Sequence, residues 1–208
     1  MSVVYSFRNK CLGLCRFLLL AFTIIPFGSH AADYQKDLEA LVSTEMKLWA
    51  GKDIVVNAVK AQNEKNADLS VTDMKILDTK WMAEKRKSKH PLIKRVLSGE
   101  LSEYLQKIQE ESDGLYTEII VIDNKGMNVG QSIMSQNYWQ GQQPKWEKTF
   151  GARSYATYVS DLHFDDNTEL FQVELSFMIM ADDEPIGVLY AGIDVEKLGE
   201  WKKRKEEQ

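Results

Sequence analysis

The sequence predicts an α+β domain in which a long N-terminal helix and shorter helices pack on an antiparallel sheet of roughly five strands. Three observations carry this. Apolar residues between Asp33 and Ile108 recur at helical spacing. After Gly114 the texture changes to β-branched runs separated by short polar turns. Between Phe171 and Met180, apolar and polar residues alternate almost without a break, the pattern of a strand with one apolar face.

Asp33 to about Lys65 reads as one amphipathic helix, with Leu38, Leu41, Val42, Trp49, Val56 and Val59 on a stripe and Gly51 as its weak point. Thr72 is the predicted N-cap of a second helix to about Lys87, with Met74, Leu77 and Trp81 on one side. Pro91 opens a third segment through Leu97. Ser98 is the predicted cap of a fourth helix carrying Leu101, Leu105 and Ile108, and "SDG" ends it at Gly114.

The strands follow in order. "YTEIIVID" (Tyr116–Asp123) ends at the turn Asp123-Asn124-Lys125-Gly126, and "MNVGQS" is its short partner. "SYATYVS" (Ser154–Ser160) resumes strand character, and "DLHFDDNTE" reads as a charged hairpin turn. After the alternating strand, "ADDEP" is a turn and Ile186 to Val195 a last strand. These spacings suit antiparallel hairpins rather than parallel crossovers.

The first 31 residues are read apart from the fold. Arg8, Lys10 and Arg16 precede the apolar run Phe17 to Phe27, and Ser29 and Ala31 are the small residues a cleavage enzyme requires. The apolar run is shorter than the roughly 20 residues that cross a bilayer. A signal peptide cut after Ala31 is the expectation, which makes the protein periplasmic. Both cysteines, Cys11 and Cys15, lie in that leader, so the remainder is expected to fold without a disulfide. Within it, 32–114 is the helical region, 115–199 the sheet region and 200–208 a charged tail.

The chain has 26 Lys+Arg against 31 Asp+Glu, a net charge of −5, and loss of the basic leader makes the remainder more acidic. Such a surface repels phosphate backbones, so no nucleic-acid partner is expected. The basic runs "EKRKSKH" and "WKKRKEEQ" read as a solvated helix face and a tail. His163 stands among Asp161, Asp165, Asp166 and Glu169, without the glycine and ligand order of a calcium loop, and a turn is the expected role. No nucleophile motif, zinc signature, phosphate loop or dinucleotide fingerprint occurs. Neither catalysis, a metal nor a cofactor is predicted.

One segment resists secondary-structure reading: "QNYWQGQQPKWEKTF", from Gln136 to Phe150. It lies between the second and third strands and concentrates Tyr138, Trp139, Trp146 and Phe150 among polar residues. A loop arched over a sheet face leaves a concavity, and Tyr and Trp offer such a site a flat surface plus a hydrogen-bond donor. The rings either plug a core or line a pocket.

The ordered series "EIIVIDNKGMNVGQS", "NYWQGQQPKW" and "YVSDLHFDDNTELFQVELSFMIMADDEPIGVLYAGIDVEKL" resembles the Cache family of extracytoplasmic sensor domains, in particular stand-alone secreted single-Cache proteins. The resemblance implies a PAS-like sheet and a small organic ligand held by the loop segment and the strands after it. It places Tyr138 and Trp139 at the aromatic pair of the loop, Tyr158 and Asp161 in the following strand and Asp194 in the last strand. Trp146 joins them by its position in the same segment. An acid at Asp161 or Asp194 would pair with an ammonium group on a ligand. Amino-acid-binding members carry an arginine just before the aromatic pair; here Gln131 and Gln136 stand near that place, and Arg153 comes after it. In a continuous strand Tyr155 and Asp161 share one face and Tyr158 and Ser160 the other, so Tyr158 and Asp161 meet only if the strand ends or bulges between them.

The implied function is a ligand-binding sensor module that passes its signal to a separate membrane receptor or sensor kinase. The alternative is a ligand-free interaction protein that docks on such a receptor through its helical face. A homodimer through the N-terminal helix is a further implied partner.

Overall fold

The computed structural model describes residues 30–207, with side chains from Tyr34 onward; both cysteines and all but the last two residues of the expected leader therefore lie outside the described residues. The first helical run, α1, spans residues 30–50: α-helix at His30–Leu41 and Lys47–Ala50 with a π-helical turn Val42–Met46 between them. It does not continue to Lys65. Lys52 is extended after Gly51, and α2 starts afresh at Asp53–Lys65. The break lets both pieces turn apolar stripes onto one curved sheet.

Helix α3 is Val71–Glu84. Its cap is Ser70, not Thr72: the Ser70 hydroxyl accepts from Asp73 N while Asp73 accepts from Ser70 N, a reciprocal capping box. Helix α4 is Pro91–Leu97 and α5 is Glu100–Glu110, with Gly99 rather than Ser98 at the N-cap of α5.

The strands are β1 (Tyr116–Asp123) and β2 (Asn128–Gln131), then, after a short helical turn α6 (Pro144–Trp146) and a π-helical turn Glu147–Gly151, β3 (Tyr158–Val159), β4 (His163–Asp165), β5 (Leu170–Ala181) and β6 (Glu184–Asp194). All pairings are antiparallel, in the order β2-β1-β6-β5-β3, with β4 also on β5. β5 and β6 are joined by Asp182 and Asp183 alone, at φ 52° and 63°, the twisted two-residue turn that matches strand twist. A bulge follows between Ile179 and Met180, opposite Pro185.

The chain closes with α7, Val195–Glu206. Residues 200–206, expected as part of a charged tail, are helical because Leu198 and Trp201 bury one face against the core. Trp201 Nε1 donates to Glu45 at 2.9 Å, and Lys205 lies 3.1 Å from the same carboxylate, tying α7 to α1.

The alternation of β5 sorts the sheet faces. Val173, Leu175, Phe177 and Ile179 join Ile119, Val121, Leu189 and Ala191 under α1, α2 and α5. Ile120, Ile122, Val188 and Tyr190 form a second cluster on the other face. A third, of Met74, Trp81, Leu92, Ile93, Val96 and Tyr138, packs α3 and α4 around the β2 end.

The turn after β1 is held from its first residue. Asp123 is fully buried and accepts from Lys125 N (2.9 Å), Met127 N (2.8 Å), Gln62 Nε2 (3.0 Å) and Asn66 Nδ2 (2.8 Å), joining α2 to the β1–β2 hairpin. Gly126 takes φ +85°, and a side chain there would stand 2.7 Å from Gly141 Cα. Asp123→Asn turns one acceptor into a donor facing donors. We expect a loss of about 2 kcal/mol in urea unfolding; an unchanged midpoint would remove this residue from the architecture.

Candidate functional site

Residues 132–157 leave the sheet after β2, arch over its second face and return at β3, forming a lid. Its first half is fixed by α3. Asp78 accepts from the backbone N of Tyr138 (2.7 Å) and Trp139 (3.1 Å), and Trp81 Nε1 donates to Ser135 O at 3.1 Å. Asn128 of β2 donates to Gln131, Ser135 and Asn137 O, stitching the lid back to the strand it left. Its second half is the α6 turn and the π-turn after it, a geometry frequent at functional sites.

The aromatic residues of the lid are anchors. Tyr138 is 5% exposed and stacks on Trp81 at 5.2 Å and 12°. Trp139 is half-buried, with Nε1 donating to Lys125 O at 2.9 Å. Trp146 stacks on Phe150 at 5.7 Å, donates to Asp123 O and packs on the cluster around Ile120 and Val188.

The other predicted site residues lie apart from these. Tyr158 is half-buried on β3, with Lys148 Nζ 4.9 Å from its ring centroid. The strand ends at Val159, and Asp161 beyond it is exposed. Asp194 caps α7, accepting from Glu196 N (2.8 Å) and Lys197 N (3.1 Å).

A cavity of about 180 Å³ lies between lid and sheet, and none of those six residues walls it. Its floor is Glu118 and Ile120 of β1 and Glu174 of β5; Asp165 and Asn167 close one side; Gln136, Asn137, Gln140, Gln143 and Lys145 of the lid form the roof. The pocket is therefore polar where the sequence pointed to rings.

The cavity's electrostatics centre on four side chains. Lys145 is 9% exposed, 3.0 Å from Glu174 Oε1 and 3.6 Å above the centroid of the Tyr190 ring. Tyr190 donates its hydroxyl to Glu174 Oε1 at 3.2 Å. Glu118 is 4% exposed, and its Oε1 finds no hydrogen-bond partner among the described residues. Burial pushes the Glu118 carboxyl up to about 7; Lys145 and Lys85 oppose the rise, and Asp165 and Glu174 add to it. Burial, then the carboxylates of Glu118, Glu174 and Asp165, hold the Tyr190 phenol well above its ordinary range, so it remains a donor.

One signal for this site stands in the sequence. "YTEIIVID" carries a carboxylate inside a strand that is buried at every position, and an acid buried without a full set of partners marks a functional candidate. Lys145 and the glutamines have no such signal, because lid residues follow no period.

A wider groove of about 480 Å³ lies on the helical side, between α1, the end of α5 and α7. It is open to solvent, and Glu45 in its wall is already engaged by Trp201 and Lys205. The narrower roofed cavity, with an unpartnered buried acceptor, is the better candidate.

An antiparallel sheet in the order β2-β1-β6-β5-β3, a long helix before it and a lid between the second and third strands together make the PAS-type arrangement. No family model matches the chain, and no curated protein matches it. Solved structures do match it, at low identity. The sensor domain of the V. cholerae histidine kinase DctB aligns at 11% identity and TM-score 0.42, over 82% of this chain and 57% of its own. The sensory domain of the Campylobacter jejuni chemoreceptor Tlp3 with isoleucine bound aligns at 13% and 0.38, over 81% and 62%. The E. coli DcuS sensor domain aligns at 13% and 0.38, over 61% and 95%. The chain spans less than two thirds of the length of the first two of these.

Proposed function

We propose that this chain is an exported sensor module that binds a small organic molecule between lid and sheet and passes its state to a separate membrane protein. The observation that carries the reading is Glu118, a buried carboxylate with an unused oxygen at a roofed cavity. The leader-like N-terminus and the Cache-like order of elements support the setting. Among the described residues no helix is long and apolar enough to cross a membrane, so on this reading the signal leaves through a partner.

The cavity also bounds the ligand. At about 180 Å³ it is slightly larger than the roughly 150 Å³ void that accepts benzene. The compound has on the order of six to eight non-hydrogen atoms.

A thermal-shift screen of small amines, acids and alcohols tests this. A ligand at about 100 times its Kd adds about 2.7 kcal/mol, a rise of roughly 5–10 °C for a domain this size. A flat response to every class would sink the reading and favour the second one, docking without a ligand. That reading draws on an apolar surface at the β4–β5 hairpin rather than on α1: Phe164 and Phe171 are 50% and 62% exposed, with rings 5.3 Å apart. A ligand-independent cross-link from Phe171 to a receptor would establish it.

A further inference from the structure

We propose that Lys145 is an internal ligand of the cavity: its ammonium group occupies the place of a small organic ammonium compound, which binds by displacing it. The inference rests on the reading that the cavity takes a ligand, and it names the class.

The surroundings of the Lys145 nitrogen are those of a binding site for a cation. Glu174 supplies a carboxylate at 3.0 Å, and Tyr190 supplies the face of its ring at 3.6 Å. An ammonium over an aromatic face and beside a carboxylate is the arrangement by which proteins hold quaternary and primary amines. Tyr190 is fixed for this job, because its hydroxyl is tied to the same Glu174.

One lysine does not complete the site. Glu118 and Asp165 also face the cavity, and Glu118 keeps one oxygen without a partner. Three carboxyl groups stand against Lys145, with Lys85 as the other cation acting on Glu118, and the surplus of acids disfavours an added anion. A neutral donor can meet the free oxygen but brings no positive charge to offset the surplus carboxyl groups. A second cation, or a cation in place of the first, does both.

The element that carries Lys145 suits displacement. The floor residues Glu118 and Glu174, and Tyr190 beneath Lys145, stand on β1, β5 and β6, each hydrogen-bonded to a neighbouring strand. Lys145 stands instead on a three-residue helical turn that runs into a π-turn. Its side chain can swing out to solvent without breaking a single sheet hydrogen bond. The roof would then lose its tie to Glu174 while the floor stayed in place, so that the position of residues 144–151 reports occupancy. Self-occupation weakens the apparent affinity by the fraction of molecules in which the lysine is seated.

The test uses n-propylammonium chloride, which reproduces the lysine side chain beyond Cβ. By calorimetry, Lys145→Ala is expected to bind it at least tenfold tighter than the wild-type protein does. Propionate and 1-propanol are expected to bind neither protein, and adding Glu174→Gln to Lys145→Ala is expected to abolish the gain. Equal affinity in wild type and Lys145→Ala, or binding of propionate by the variant, overturns the proposal. Should Lys145→Ala not fold in buffer, its refolding with n-propylammonium but not with propionate supports the proposal, and refolding with neither overturns it. A neutral or anionic compound that stabilises the wild-type protein would overturn this inference while sustaining the sensor reading. Silence from every class would instead remove the reading on which it rests.

Discussion

Replacing Glu118 with glutamine is expected to stabilise the protein by about 3 kcal/mol at pH 7.5 and to leave its stability nearly unchanged at pH 4. The carboxyl pKa rises from 4.5 in the unfolded chain to about 7 in the fold, first because it is buried. Between those values the folded state holds more protons than the unfolded state. The contribution of Glu118 is therefore fully present below pH 4.5, falls as pH rises to about 7, and is flat above that. The span of the shift, at about 1.4 kcal/mol per unit, sets the magnitude. The groups facing Glu118 are Lys145 on the lid, Asp165 on β4, Glu174 on β5 and Lys85 after α3, and glutamine leaves all four in place. Urea midpoints of wild type and variant across pH 4 to 8 measure the difference. A difference independent of pH would mean that Glu118 stays ionised throughout, held by Lys145.

Trp81→Ala is expected to cost about 3–5 kcal/mol, the range for deleting a buried tryptophan. Trp81 has no exposed surface, stacks on Tyr138 and donates to Ser135 O. Its removal opens a void beside the lid and leaves the Ser135 carbonyl with only the longer contact from Lys85 Nζ at 3.4 Å. Urea unfolding should show the lowered midpoint, and near-ultraviolet circular dichroism the loss of the stacked pair. A cost below about 1 kcal/mol would show that the lid is held elsewhere, with Tyr138 free to serve as a pocket wall.

Much of the fold was legible because strands announce themselves by alternation. Phe171 to Ile179 came out as a strand with Val173, Leu175, Phe177 and Ile179 on the core face as expected but Phe171 exposed, and the expected turn Ala181–Pro185 shrank to Asp182–Asp183. Helix boundaries slipped where two capping residues stand close together. Ser70 and Thr72 are both competent, and what decides is Asp73, three residues after Ser70. α7 was hidden by its charge: Leu198 and Trp201 share a face three residues apart, but lysines and glutamates dominate the stretch.

The candidate site was less legible. Large rings in an irregular segment are ambiguous because the same area and donor serve a plug or a wall: Trp139 and Trp146 are tied to backbone carbonyls, while Tyr138 both stacks on Trp81 and lines a separate cavity of about 410 Å³. Asp194 was drawn to a helix start, a demand set by the next element rather than by its own strand. The residues that do meet across the cavity come from segments far apart in the chain. Glu118 and Glu174 become neighbours only through β6, which lies between β1 and β5.

The outer edge of β5 has a consequence for solubility. Beyond Ser176, no other described strand covers the outer edge of β5. That end carries Phe177, Met178, Ile179 and Met180 in succession, a window of the kind that recruits further chains into edge-to-edge aggregates. The bulge places its extra residue, Ile186, on β6, so the row of donors and acceptors on the outer edge of β5 runs on unbroken. This end of β5 is thus the place on the sheet where an incoming strand would most readily template aggregation.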